Sequence, residues 1–248
     1  MNGSNGLLKI NTIFWDFDGT LAYRDGMWTG TLMDVLEKNS IQHIQKEDLR
    51  PFLNIGFSWH SPETSHELLF AGKDWWQYYN AYFSEIFQKV GVKTKIANEL
   101  ALQVKEEFIN PLKWHLYSDT KLALKNAAKA GFRNVILSNH IPELKLVVKN
   151  LGIDEYFLEI YSSANIGYEK PNLKIFNFVL KNLNLSSGEC IMIGDSYEAD
   201  IAGALRADIK PILVRNENGK SYKWFSPDLI NVNTLINRIT KISVKGAV

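Results

Sequence analysis

Short apolar runs that end abruptly at polar residues recur along this chain. A run of this kind, rich in β-branched residues, is typical of a strand buried on both faces of a parallel sheet. Amphipathic helical patterns, with stops at Gly131 and Gly152, lie between several of these runs. The alternation predicts an α/β fold with a doubly wound parallel sheet. The predicted strands lie at 10–15, 134–137, 157–161, 190–193 and 210–214, and the predicted helices at 119–130, 143–151, 173–183 and 231–242.

This alternation is interrupted between about residues 24 and 112, where several amphipathic helices are predicted and no convincing strand pattern is found. We therefore predict a core domain made of residues 1–22 and 113–248, with an inserted helical domain at 23–112. Aromatic residues recur at helical spacing inside the insertion, which predicts either the core of a small helical bundle or a wall facing a substrate. These residues are Trp75, Trp76, Tyr79, Tyr82 and Phe83.

Composition and charge narrow the class of protein. The 248 residues are 46% hydrophobic and 22% charged, which is enough apolar sequence for one full core and a smaller second one. The net charge of +1 gives no global attraction to nucleic acid, and no apolar run reaches the roughly 20 residues of a membrane span. One cysteine permits no disulfide framework. We expect a cytoplasmic protein, monomer or homodimer, that binds a small molecule rather than a nucleic acid polymer or a membrane.

Polar residues directly follow three of the predicted strands. Asp16 and Asp18 follow the first, Ser138 and Asn139 follow another, and Asp195 follows a third. Because ligands of open α/β sheets bind outside the carboxyl ends of the strands, we expect these residues to converge. Three clustered carboxylates repel one another unless a cation neutralises them. Oxygen ligands without clustered His or Cys favour Mg²⁺ as that cation.

Groups suited to phosphate binding belong to the same predicted site. Ser138 offers a hydroxyl donor, Lys170 a positive charge, and the amides around Gly19 a close approach to an anion. A divalent cation beside them would attract phosphate as well. The set therefore predicts a site for phosphoryl transfer.

Four segments, in this order, resemble motifs I to IV of the haloacid dehalogenase-like (HAD) superfamily. They are Asp16-Phe17-Asp18-Gly19-Thr20, Ser138-Asn139, Glu169-Lys170-Pro171 and Gly194-Asp195-Ser196-Tyr197-Glu198-Ala199-Asp200. The resemblance covers roughly residues 8–22 and 113–230, and the insertion after motif I is similar to the helical cap of the C1 type. It implies a Rossmann-like core, a C1 cap, and a place among the C1-capped phosphatases of small metabolites and nucleotides.

The resemblance also implies a role for each matching residue. Asp16 is expected to attack phosphorus and form an aspartyl-phosphate, while Asp18 protonates the leaving oxygen and later activates water. Mg²⁺ is expected on the Asp16 carboxylate, the backbone carbonyl of Asp18 and the Asp195 carboxylate. Asp200 is expected to orient a metal water or Lys170, with direct metal ligation as the alternative. Lys170 is also assigned to catalysis, and the expected substrate-binding residues are Gly19, Thr20, Ser138, Asn139 and Lys170.

Several functions fit these motifs to different degrees. The resemblance implies a Mg²⁺-dependent phosphatase acting on a nucleotide, a sugar phosphate or a small acid phosphate. A phosphomutase uses the same two aspartates and stays an alternative. Dehalogenases and phosphonatases of the superfamily usually lack the second acid of motif I, so Asp18 argues against both. A non-catalytic binding protein is least favoured, because it predicts a damaged motif.

Four further residues lie close to the motifs. Tyr23, Arg24 and Trp28 follow motif I, where the chain enters the insertion, and are expected either to face the substrate or to pack at a hinge. His140 follows motif II and has no partner at metal-ligand spacing, so we expect it to be a solvated loop residue.

Overall fold

The computed structural model describes residues 10–64 and 74–245. Within these residues the chain forms eight strands and eleven helices. The strands are β1 (Thr12–Trp15), β2 (Ala22–Arg24), β3 (Trp114–Leu116), β4 (Arg133–Ser138), β5 (Phe157–Ser162), β6 (Cys190–Gly194), β7 (Lys210–Val214) and β8 (Phe225–Ser226). The helices are α1 (Met27–Lys38), α2 (Lys46–Leu53), α3 (Asp74–Lys89), α4 (Thr94–Ala101), α5 (Val104–Phe108), α6 (Thr120–Lys129), α7 (Leu144–Asn150), α8 (Ser163–Ile166), α9 (Leu173–Asn182), α10 (Gly203–Arg206) and α11 (Val232–Lys245).

Six of the strands form one parallel sheet in the order β5-β4-β1-β6-β7-β8. Strand β1 lies inside the sheet, between β4 and β6. All five strands predicted from apolar runs belong to this sheet, so the predicted α/β Rossmann-like class is confirmed. Strand β8 was not predicted, because the two residues Phe225 and Ser226 are too few to show a periodic pattern.

Helices cover both faces of the sheet. Ile13 and Trp15 of β1 belong to an apolar cluster that contains buried residues of α6, α7 and α11. Phe14, which points to the opposite face, packs in a second cluster with residues of α9 and α10. Burial on both faces explains why these strands are apolar at nearly every position. Among the described residues, no helix has both the length and the apolarity needed to cross a bilayer.

A helical insertion lies between β1 and β4 and contains α1 to α5. Strands β2 and β3 form an antiparallel ribbon at its base, in which Ala22 pairs with Leu116 and Arg24 with Trp114. The chain therefore enters and leaves the insertion at adjacent positions. The ribbon was not predicted, because three residues in each strand are too few to show alternation. The cap-like insertion is confirmed, while its limits at 23–112 stay a prediction.

Aromatic rings form the core of the insertion. Trp75, Tyr79 and Phe83 of α3 are buried. Trp28 of α1 packs against Phe83 and Trp75, with ring centroids 5.3 Å and 6.4 Å away. The aromatic residues of α3 therefore pack inside the helical bundle, which was one of their two predicted roles.

A buried ion pair joins the ribbon to two helices of the insertion. Nη2 of Arg24 lies 2.7 Å from Oδ2 of Asp34 in α1 and 3.7 Å from Oε1 of Glu107 in α5. The Arg24 side chain is only 1% exposed. Of the two roles predicted for Arg24, the structure supports packing at the hinge.

Replacement of Arg24 by methionine tests this ion pair. Arg24→Met is expected to lower the free energy of unfolding by about 3 kcal/mol, because the buried Glu107 loses its cation and Asp34 retains only Lys113, at 2.8 Å. The matched control Arg50→Met removes an exposed pair with Glu47 and should cost at most about 1 kcal/mol. Urea unfolding followed by circular dichroism measures both variants. Equal losses would show that the buried pair does not stabilise the insertion.

Candidate active site

Asp16 lies at the carboxyl end of β1, inside the sheet. Its backbone N–H donates to the carbonyl of Ile193 at 2.8 Å, which extends the pairing of β1 with β6 by one residue. Its Oδ1 accepts hydrogen bonds from Oγ of Ser138 at 2.9 Å and from Nζ of Lys170 at 2.7 Å. Residues from motifs I, II and III therefore meet at one carboxylate oxygen.

Lys170 is buried between two acids. Its Nζ also lies 2.5 Å from Oδ1 of Asp200, and the lysine side chain is 1% exposed. Burial alone would lower the pKa of Lys170, but the charges of Asp16 and Asp200 outweigh it and raise the pKa. The ammonium group therefore stays charged at neutral pH. Lys170 therefore contacts Asp16, the predicted nucleophile. Asp200 contacts Lys170, as required by one of the two roles predicted for Asp200.

Asn139 connects the loops of motifs II and III. Its side-chain amide donates to the backbone carbonyl of Lys170 at 2.8 Å, and its Oδ1 accepts from the backbone N–H of the same residue at 2.7 Å. These two hydrogen bonds fix the backbone that carries the Lys170 ammonium. The phosphate-binding role expected for Ser138 and Asn139 stays a prediction.

Two glycines allow the backbone to approach the remaining carboxylates. Gly19 has a φ of +78°, and a Cβ there would lie 2.4 Å from Oδ2 of Asp195. A Cβ on Gly194 would lie 2.1 Å from Oδ2 of Asp200. The Thr20 hydroxyl donates to Oδ1 of Asp195 at 3.2 Å. Gly19 and Thr20 thus lie against Asp195, and their expected contacts with a substrate stay predictions.

A π-helical turn explains the long spacing in motif IV. The turn Tyr197–Ala202 follows β6, and the N–H of Ile201 donates to the carbonyl of Ser196, five residues earlier. A π-helical turn contains about one residue more than an α-helical turn. Asp200, five positions after Asp195, therefore lies at the site. Oδ2 of Asp200 accepts the backbone N–H of Ser196 at 3.0 Å, which holds this acid in place.

The carboxylates form a group that fits a divalent cation. Carboxylate oxygens of Asp16, Asp195 and Asp200 all lie within 4.8 Å of one another. Burial, and then the charges of the neighbouring acids, raise the pKa of Asp195; the pKa of Asp200 is also raised, mainly by burial. A hard cation would relieve this repulsion, and oxygen donors are the ligands that Mg²⁺ prefers. The Asp18 carboxylate is outside this group. The expected contact of the Asp18 backbone carbonyl with the metal stays a prediction.

Asp18 lies beside an unexpected histidine. Burial, followed by the charges of Asp16 and Asp195, raises the pKa of Asp18 well above its usual range. Its Oδ2 lies 3.7 Å from Nε2 of His140. A raised pKa favours a protonated carboxyl, which is the form that can donate a proton.

The expectation that His140 is a solvated loop residue is wrong. The residue is 3% exposed, because its ring packs against Phe17, Phe108 and Trp114 at centroid distances of 5.6, 5.7 and 5.6 Å. Burial lowers the pKa of His140 to about 4, so the imidazole is neutral near pH 7. Sequence reasoning missed this residue, since the aromatic residues that cover it come from two regions far from it in sequence, at residue 17 and at residues 108–114. Its position directly after motif II was the one available signal.

A cavity of about 560 Å³ opens onto these groups. The insertion contributes apolar side chains to its lining, so one space is bounded by the motif residues and by the insertion. The polar residues of the motifs that line it are Asp16, Asp18, Ser138, Asn139, Lys170, Asp195 and Asp200. Its apolar lining includes Met27, Trp28, Trp59, Phe108 and Ile141. Trp28, with two predicted roles, both packs in the insertion and borders the cavity.

Buried hydrogen bonds join the insertion to the motif III loop. Oγ of Ser58 donates to Oε1 of Glu169 at 2.5 Å, and Nδ2 of Asn172 donates to the carbonyl of Pro62 at 2.9 Å. Glu169 is 1% exposed, and this burial raises its pKa to about 7. Glu169 and Asn172, which belong to the core domain, lie on either side of Lys170 in the sequence.

The chain belongs to the haloacid dehalogenase-like hydrolase family, whose model matches residues 10–208. The match includes all four motif segments and the insertion between the first two. The family assignment expected from the motifs is therefore confirmed.

Several curated relatives are phosphatases. The glyceraldehyde 3-phosphate phosphatase of Methanothermobacter thermautotrophicus is 31% identical over 103 residues, which cover 41% of this chain and 45% of that protein. The phosphoserine phosphatase of Thermus thermophilus is 27% identical over 150 residues, which cover 59% of this chain and 58% of that protein. The chain thus spans less than two thirds of the length of these relatives.

Solved structures share the fold along nearly the whole chain. The HAD-hydrolase YfnB from Bacillus subtilis, bound to magnesium, has a TM-score of 0.71 at 19% identity, covering 92% of this chain and 99% of that one. A 2-haloacid dehalogenase from Pseudomonas syringae has a TM-score of 0.67 at 20% identity, covering 93% and 99%. At these identities the likeness shows the fold, including the cap-like insertion, and no particular substrate.

Removal of one carboxylate from the cluster tests whether it binds Mg²⁺. Near-saturating Mg²⁺, at pH 8, is expected to raise the melting temperature of the wild type by about 5–10 °C, since a ligand at 100 times its dissociation constant adds about 2.7 kcal/mol. Asp195→Asn should lose most of this increase. It should also melt no lower than wild type in chelator, because it removes a repelling charge.

Differential scanning fluorimetry with and without Mg²⁺ makes this comparison. Asp154→Asn, an exposed aspartate far from the cluster in sequence, is the matched control and should respond as wild type does. A full Mg²⁺ response in Asp195→Asn would refute the assignment of the carboxylate cluster to the metal.

The buried acid Glu169 generates a prediction about pH and stability. The folded chain holds its proton up to about pH 7, whereas the unfolded chain releases it near the ordinary pKa of 4.5. The contribution of Glu169 to the stability of the wild type therefore falls as the pH rises from 4.5 through 7. Glu169→Gln stays neutral and should equal wild type at low pH but exceed it by about 2–3 kcal/mol at high pH.

Urea unfolding at pH 5 and pH 8 measures this difference. Glu155→Gln, in which an exposed glutamate is replaced, should track wild type at both values. A difference between Glu169→Gln and wild type that does not change with pH would contradict the raised pKa.

Proposed function

We propose that this protein is a Mg²⁺-dependent phosphatase that hydrolyses a small phosphorylated metabolite through an aspartyl-phosphate on Asp16. The observation that carries the proposal is the contact of Asp16 with Ser138 and Lys170, next to an Asp18 carboxyl whose pKa is raised. Phosphatases among the curated relatives support it.

The first step transfers the phosphoryl group to the protein. A carboxylate oxygen of Asp16 attacks phosphorus as the bond from phosphorus to the ester oxygen breaks. Asp18, whose raised pKa favours the protonated form, gives its proton to the leaving oxygen and so releases an alcohol. The Lys170 ammonium and the Ser138 hydroxyl contact Asp16 and hold the nucleophile in place for this attack.

The second step regenerates Asp16. Asp18, now a carboxylate, accepts a proton from water while the water oxygen attacks phosphorus and the bond to Asp16 breaks. Inorganic phosphate leaves, and Asp18 is again protonated. Asp16, Asp195 and Asp200 offer the oxygens that fit Mg²⁺, which when bound would supply positive charge opposite the phosphoryl oxygens.

Asp18 distinguishes this proposal from its alternatives within the family. Carbon–halogen cleavage releases halide, which needs no proton donor, so a second acid beside the nucleophile favours an oxygen leaving group. Transfer to a second hydroxyl of a sugar, as in a phosphomutase, would use the same acid and stays an alternative. The four motifs converge on one cavity, which does not favour a non-catalytic binding protein.

We also propose that the insertion, residues 23–112, acts as a cap of the C1 type. Its contribution of Trp28 and Trp59 to the cavity lining supports this role. The relatives named for glyceraldehyde 3-phosphate and phosphoserine indicate small phosphate esters as the substrate class. The cytoplasmic location and the monomeric or homodimeric state expected from the sequence stay predictions.

Substitutions in motif I test the chemistry. Asp16→Asn is expected to release phosphate at least about 10⁴-fold more slowly than wild type, because an amide cannot form the acyl phosphate. Asp18→Asn should lose about 10²–10⁴-fold, the usual worth of a positioned acid or base. Phosphate release from a panel of phosphate esters with Mg²⁺ measures both variants, with Asp154→Asn as the control.

Sustained turnover by Asp16→Asn would refute the nucleophile. No phosphate from any ester with the wild type would refute the phosphatase. Product analysis with a sugar phosphate separates the remaining pair of functions, since free phosphate indicates hydrolysis and an isomerised sugar phosphate indicates a mutase.

A further inference from the structure

Three aromatic rings line the cavity and form a wall, which we call the aromatic wall: Trp28, Trp59 and Phe108. The ring of Trp28 lies nearly parallel to that of Phe108, at 4.1 Å and 17°, and to that of Trp59, at 6.3 Å and 22°. Phe57 stacks on Trp59 at 4.3 Å and 9°, which fixes its orientation. Trp59 is half-buried, so part of its ring is open to a ligand.

These rings differ from the other aromatic residues of the insertion. Trp75, Tyr79 and Phe83 are absent from the described lining of the cavity, whereas Trp28 and Phe108, which are also buried, border it. The aromatic wall, in contrast, shares a cavity with Asp16. Rings that border the space beside a nucleophile can contact the part of the substrate that leaves, and a flat ring stacks well on such a surface.

Charge limits what the leaving group can carry. Among the described residues that line the cavity, Lys170 is the one cation, and its ammonium is already shared between Asp16 and Asp200. The acid Glu198 also borders the cavity, and it pairs with Arg206 at 2.9 Å. A carboxylate or second phosphate on the leaving group would therefore have no cation of its own among the described residues of this lining. An uncharged leaving group has no such penalty.

His140 supplies a polar contact between the aromatic wall and Asp18. Its ring lies against that of Phe108, and it lines the same cavity. Neither Nδ1 nor Nε2 makes a hydrogen bond of normal geometry with the described residues, although the Ile141 backbone acts on the ring and Nε2 lies 3.7 Å from Oδ2 of Asp18. Buried polar atoms in proteins are almost always paired, and a neutral imidazole offers one donor and one acceptor. A hydroxyl of the leaving group is a suitable partner.

We propose that the substrate is a phosphate monoester whose uncharged leaving group carries a hydroxyl and a flat unsaturated ring, the ring stacking on the aromatic wall and the hydroxyl meeting His140. This inference rests on the proposed phosphatase function and names its substrate class. Nucleoside 5′-monophosphates and phosphorylated hydroxypyridines both have this chemistry.

The test compares esters that differ in one feature. Uridine 5′-monophosphate and ribose 5-phosphate share a primary alcohol on the same sugar, and the nucleotide adds the flat ring. The ring should raise kcat/KM about tenfold or more, as expected for a stacked base. Pyridoxine 5′-phosphate tests whether a phosphorylated hydroxypyridine can replace the nucleotide. Phosphoserine and phosphoglycolate carry carboxylates and should be the poorest substrates.

Variants assign the preference to the wall. Trp59→Leu should reduce the ratio of kcat/KM for uridine 5′-monophosphate over ribose 5-phosphate to near one, while Trp59→Phe should retain most of it. Trp224→Leu is the matched control, because this tryptophan is absent from the described cavity lining. Circular dichroism and melting temperatures check that each variant folds, and the phenylalanine variant keeps the test valid if leucine disturbs the fold.

The outcomes separate this inference from the proposed function. Equal or faster turnover of phosphoserine or phosphoglycolate, or a ratio unchanged in Trp59→Leu, overturns the substrate class while leaving the phosphatase intact. If no ester releases phosphate, the phosphatase fails, and calorimetric affinities of Asp16→Asn for uridine 5′-monophosphate and ribose 5-phosphate decide the inference. Tighter binding of the nucleotide supports the ring site, and equal binding overturns it.

Discussion

The repulsion among buried carboxylates is the constraint on which the rest of this structure depends. Three acids from two segments lie within ion-binding distance, and a single lysine contacts two of them. A buried cation of this kind is stable only when its partners are held at hydrogen-bonding distance. The sheet positions Asp16, the paired loops of motifs II and III position Lys170, and the π-helical turn positions Asp200. Each of these local features holds a charged group at the position where the Lys170 ammonium and the carboxylates offset one another.

The proposed chemistry comes from the core domain, whereas the proposed recognition of the leaving group comes from the insertion together with His140. Residues at the carboxyl ends of parallel strands are fixed by the ladder of backbone hydrogen bonds and by cores on both faces, which suits groups that must stay in place during phosphoryl transfer. The cavity lining from the insertion consists of apolar side chains held by aromatic packing. Such a surface can exclude water and select a shape while leaving the reacting groups unchanged.

The sequence was most informative where structure follows from local pattern. Strands buried on both faces are continuous apolar runs, so the sheet was predictable, and Asp16 was predictable because it ends such a run. The ribbon of β2 and β3 was not, since its strands are too short to show a period. The burial of His140 and the position of Trp59 beside the cavity depend on contacts between segments far apart in the chain. Such contacts leave no periodic signal in a single sequence.

The four residues Glu169 to Asn172 couple the two parts of the molecule. Glu169 and Asn172 hold Ser58 and the Pro62 carbonyl of the insertion, and the Lys170 between them holds the Asp16 carboxylate. If the insertion moves away from the sheet, hydrogen bonds break on both sides of the lysine that contacts Asp16, the proposed nucleophile. The position of the insertion is thereby coupled to the Asp16 carboxylate through one peptide bond on one side of Lys170 and two on the other.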